Sequence, residues 1–102
     1  VLTSAELICV EAPATGETNI GVWYGDTVLS SSMTMNQASA NGVELIAAEA
    51  YAAAGDSAAQ TDISADIDAK YLYLVSSGST ANNYSAGKFI LRLYGYTVFN
   101  DV

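Results

Sequence analysis

The sequence predicts an all-β domain, an antiparallel β-sandwich of jelly-roll-like type with room for one short helix, and three observations carry that expectation. Short runs rich in β-branched and aromatic residues alternate between two faces. Gly, Ser, Thr and Ala punctuate these runs at the intervals of a sandwich with Greek-key connections. No strand–helix rhythm of a parallel sheet occurs. At 102 residues the chain has room for one domain, residues 1–102, with a single core and no deep cleft between two lobes.

The first strand is expected from Ala5 to Ala12, where Leu7, Ile8, Cys9 and Val10 form an apolar run ended by Pro13 and a turn at Thr15-Gly16. A second covers Asn19 to Tyr24 and closes on Gly25-Asp26. Ser30 to Gly42 shows no dominant period and reads as a loop with room for an embedded strand. Val43 to Ala54 is ambiguous. Its alanines and glutamates favour helix, and Leu45, Ala48 and Ala52 stand at helical spacing before the terminator Gly55-Asp56, yet a strand fits as well.

Tyr71 to Val75 is a strand with Tyr71, Tyr73 and Val75 on one face and Leu72 and Leu74 on the other. A polar loop, Ser76 to Ser85, leads to the longest strand. There Phe89, Leu91 and Leu93 point one way and Lys88, Ile90, Arg92 and Tyr94 the other. The first set is expected to fill the core beside Leu72 and Leu74.

Composition excludes several functions. The chain is 51% hydrophobic and 14% charged, which rules out a disordered polar chain, and its positive mean hydropathy points to surface covered in an oligomer. Three basic residues against eleven acids give a net charge of −8, which disfavours nucleic acid because phosphates need a basic patch. Glu44 and Glu49 break the richest apolar stretch, so no membrane-spanning run occurs and the domain reads as soluble. The chain begins at Val1 with neither an initiator Met nor a basic-then-apolar leader, which fits a processed, trimmed or partial product.

The instruments of catalysis are sparse, and no enzyme activity is expected. With no His, neither an imidazole-served Ser or Cys triad nor a His-containing zinc site can form. Cys9 cannot form an intrachain disulfide and reads as a buried apolar residue rather than a nucleophile. No phosphate loop or dinucleotide fingerprint occurs, and no cofactor is expected. Carboxylate pairs such as Glu44 with Glu49 or Asp66 with Asp68 arise readily by chance among eleven acids. Asp62, Asp66 and Asp68 offer oxygen ligands to calcium, but they miss the EF-hand spacing, its glycine and its terminal Glu; the expectation is acids facing water. Trp23, Tyr24 and the tyrosines at 71, 73, 84, 94 and 96 suit core and subunit interfaces, with a sugar-stacking platform as the other use of such residues.

Asp68-Ala69-Lys70-Tyr71-Leu72-Tyr73-Leu74, followed by Tyr84-Ser85-Ala86-Gly87-Lys88-Phe89-Ile90-Leu91-Arg92-Leu93-Tyr94-Gly95-Tyr96, resembles small virion proteins of tailed bacteriophages, particularly of marine and cyanobacterial phages. The similarity covers about a third of the chain and is a pattern of hairpin residues without chemistry. It implies a jelly-roll-like sandwich and a decoration or cement protein on the capsid exterior. The implied partners are further copies of itself, for example in a trimer, and a major capsid protein. Trp23, Tyr24, Arg92, Tyr94 and Tyr96 are the expected interface residues. A carbohydrate-binding module, or a self-assembling subunit of an extracellular filament or surface layer, are the alternative expectations.

Overall fold

The computed structural model describes residues 1–26, 42–76 and 84–96, and within them the chain is all-β and antiparallel. Six strands form two three-stranded sheets: β1 (Leu2–Ala14), β2 (Asn19–Gly25), β3 (Gly42–Ala50), β4 (Ser57–Gln60), β5 (Tyr71–Ser76) and β6 (Ala86–Gly95). One sheet has the order β4-β1-β6 and the other β3-β2-β5. Among the described residues β1 and β2 are therefore the central strands, and the other four are edges. The architecture is that of a β-sandwich. A jelly roll has eight strands in two Greek keys, a connectivity that these six do not establish.

Central position explains burial. Ala5, Leu7 and Cys9 alternate along β1 and are buried, as are Ile20 and Val22 on β2. They meet Leu45, Ile46 and Tyr51 in one core. Cys9 is buried and free.

Val43 to Ala54 resolves as strand β3 and a turn, and no described residue is helical. The physical reason is packing. A helix on the Leu45, Ala48, Ala52 spacing would bury a single large side chain, whereas the register shift between Val22↔Ile46 and Trp23↔Glu44 leaves Leu45 as an extra residue. That bulge lets both Leu45 and Ile46 enter the core, with Tyr51 following. Tertiary burial overrides the helix propensity of alanine. Gly55, at φ 97°, donates its N–H to the Cys9 carbonyl (2.8 Å), and the Asp56 carboxylate accepts from the N–H groups of Ala52 and Ala53, both at 3.0 Å.

The other end of β1 is held by β6 and by the segment after β4. Leu2 and Ala65 exchange backbone hydrogen bonds of 2.7 and 3.3 Å, and the Tyr96 N–H donates to the Val1 carbonyl (2.9 Å). Gly95 is required there, because a Cβ would lie 2.1 Å from the Val1 oxygen. Most of Ser30 to Gly42 and of Ser76 to Ser85 falls outside the described residues.

β6 faces as its alternation predicts. Leu91 stands opposite Leu7 and Phe89 opposite Cys9, with both packed against the core, while Ile90 and Arg92 lie on the outer side opposite Ile8 and Glu6. One expectation is corrected: Leu72, Leu74 and Leu93 share the interior faces but do not fill the core, being 38%, 49% and 37% exposed. β5 and β6 are edge strands on the same side of the sandwich, and no further strand covers them among the described residues.

Candidate interaction surfaces

The two sheets close over one another where β3 lies near β4, with Tyr51 sealed inside, and stand apart where β5 faces β6. The gap is an apolar cleft. Its wider part, about 210 Å³, is lined by Pro13, Ile20, Leu74, Tyr84, Ala86 and Phe89 among others. A smaller hollow of about 120 Å³ continues it past Leu74 and Phe89 to Leu72 and Leu91, with Leu7 and Val22 at its wall. The wide end is braced. The Tyr84 hydroxyl donates to the Glu17 carbonyl (2.7 Å), the Ser85 N–H donates to the Ala14 carbonyl (3.1 Å), and the Ser85 and Thr15 hydroxyls are hydrogen-bonded.

The second surface is the outer face of the β4-β1-β6 sheet. Val10, Ile90 and Tyr94 are exposed there, amid two cross-strand ion pairs, Arg92 with Glu6 (3.6 Å) and Lys88 with Glu11 (3.7 Å). Such exposed pairs contribute little stability, but standing directly opposite in register they favour this pairing of β1 with β6 over a slipped one. Lys70 pairs with Asp26, whose hydrogen bond raises the ammonium's pKa. All three basic residues of the chain are thus matched, and the surplus charge is entirely acidic.

The five expected interface residues divide between the two sheets. Arg92 and Tyr94 share the outer face of β6, and exposed Tyr96 follows just beyond the strand. Trp23 and Tyr24 lie on β2 and point to opposite faces: Tyr24 packs against the core, whereas Trp23 stands beside Tyr73 on the outer face. Trp23 Nε1 and the Tyr73 hydroxyl are both buried without a hydrogen-bond partner. Trp23 and Tyr24 therefore do not make one stacking surface.

Asp62, Asp66 and Asp68 do not converge. Asp66 Oδ1 accepts from the Asp68 N–H (3.0 Å), Asp62 sits at φ 57°, and among the described residues no group of three or more His, Cys, Asp or Glu side chains is placed to hold a metal. The carboxylate here shapes a turn.

Sequence reasoning missed the cleft. Its alternating leucines were legible, but whether β5 and β6 would be central or edge strands was not. No protein-family model, curated protein or solved structure matches the chain.

Proposed function

We propose that the chain is a non-catalytic structural domain that docks as a homo-oligomer on the exterior of a virus capsid, as a decoration or cement protein contacting the major capsid protein. The observation that carries this reading is the outer face of β6, where Ile90, Tyr94 and, just beyond, Tyr96 remain uncovered on a sheet tied to β1 along its whole length. Aromatic groups held on a rigid sheet can contribute much contact energy with little loss of entropy. The phage-like pattern from Tyr71 to Tyr96 supplies the capsid, and the acidic charge with every basic group paired argues against a nucleic-acid partner.

The test is add-back to particles stripped of this protein, with wild-type chain or the double variant Tyr94→Ala/Tyr96→Ala, reading both occupancy and survival of the shell on heating. Wild-type chain is expected to raise the disruption temperature, because a partner that binds only the assembled shell stabilises it by mass action. The folded double variant is expected to leave the shell unoccupied. Full occupancy by that variant excludes this face, and absence of the chain from purified particles removes the capsid role.

A further inference from the structure

β6 is a ten-residue edge strand with β1 on one side and, among the described residues, no strand on the other. Unpaired edges of this length invite another strand, and proteins usually blunt them. Charge decides which occupant suits this one. None of the eleven acids stands on β5 or β6, while Glu44 and Glu49 lie on β3 and Asp62, Asp66 and Asp68 lie between β4 and β5. Lys88 and Arg92 on β6 pair across the strand with Glu11 and Glu6 and remain exposed. For two chains of charge −8, approach along strands that carry no acid limits the repulsion.

We propose that two copies of the chain pair antiparallel along the free edges of β6, about a two-fold axis passing through Leu91. The inference rests on the oligomeric part of the reading above and not on the capsid. A two-fold axis perpendicular to the sheet keeps the interior faces on one side, so residues directly opposite one another share a face. Centred on Leu91, the interior row sets Leu91 on the partner's Leu91 and Phe89 on the partner's Leu93. The outer row sets Lys88 on the partner's Tyr94 and Ile90 on the partner's Arg92. Apolar meets apolar, and the ammonium lies over a ring. Centring on Ile90 would oppose Lys88 with the partner's Arg92, and centring on Arg92 would oppose the two guanidinium groups. The Leu91 register also brings the two clefts to the seam, where Leu72, Leu74 and Leu93 of each copy lose their exposure to water.

Sedimentation equilibrium of the purified chain is expected to give a monomer–dimer equilibrium. Ile90 faces away from the core, so Ile90→Lys and Ile90→Glu fold alike, which a thermal melt checks. Ile90→Lys opposes the partner's Arg92 twice in each dimer and weakens association about tenfold or more, whereas Ile90→Glu retains or tightens it. Mixing the single variants Ile90→Cys and Arg92→Cys under oxidation should join the introduced thiol of one variant to that of the other, with few like-to-like products. A monomer at every concentration, a trimer, equal responses to Lys and Glu, or efficient linkage of Ile90→Cys to itself would overturn the proposal. A cross-linked dimer that never binds stripped particles supports it and removes the capsid reading alone. A docking monomer does the reverse.

Discussion

Tyr51 shows how a single residue can carry opposing contributions. Its ring is fully buried and meets Phe89 edge-to-face, with centroids 5.3 Å apart at 85°, a favoured aromatic geometry. Its hydroxyl, however, is buried with no hydrogen-bond partner. Burying an oxygen that bonded to water in the unfolded chain costs free energy that nothing here returns. Tyr51→Phe keeps the ring contact and deletes the stranded group. The expected result is stabilisation by about 1 kcal/mol, read as a higher denaturant midpoint at unchanged slope. A loss of stability would mean that the hydroxyl is bonded in solution.

At the scale of the element, β6 has two chemically different faces and, among the described residues, one edge without a neighbouring strand. Leu91 lies opposite Leu7 against the core, whereas Ile90 lies opposite Ile8 on the outer side. Leu91→Ala therefore leaves a cavity and costs about 2 kcal/mol or more, while Ile90→Ala costs under about 1 kcal/mol. Melting curves of the two variants, run dilute enough to keep the chain monomeric, give the comparison. Equal losses would mean that the faces of β6 are wrongly assigned. The bulge of β3 at Leu45 makes a related point, because one extra residue turns two neighbours into the same core.

The whole molecule responds to pH through groups that are neutral and buried. Burial pushes the Cys9 thiol above its ordinary 9.0, with Asp56 and Glu11 adding to the effect. Burial likewise raises the Tyr51 phenol above 10.0, reinforced by Glu49 and Cys9, and raises Tyr73, reinforced by Asp26. Below the ordinary values both the folded and unfolded chains hold these protons, so the stability contribution is fully present. As pH rises past them, the unfolded chain releases protons that the folded chain still binds, and stability falls until the raised folded values are passed. Denaturation midpoints are expected to decline from roughly pH 9 upward, with Tyr51→Phe flattening part of the slope. A midpoint constant to roughly pH 11 would contradict the burial of these groups.

The features legible in the sequence were local: the strands β1, β2, β5 and β6, the alternation of β6, the terminator at Gly55-Asp56, and a chemistry without His or a second Cys, whereas the short strand β4 was not legible. These follow from side-chain type and a period of two, which any stretch of chain carries within itself. It took the assembled sandwich to make Val43 to Ala50 a strand, to set Tyr24 rather than Trp23 against the core, and to leave Leu72 and Leu74 lining an open cleft. A leucine in an alternating strand is buried only if another strand or sheet arrives to cover it. That arrival is settled by the order of strands across the whole sandwich, with β1 and β2 central and β5 and β6 at the edge.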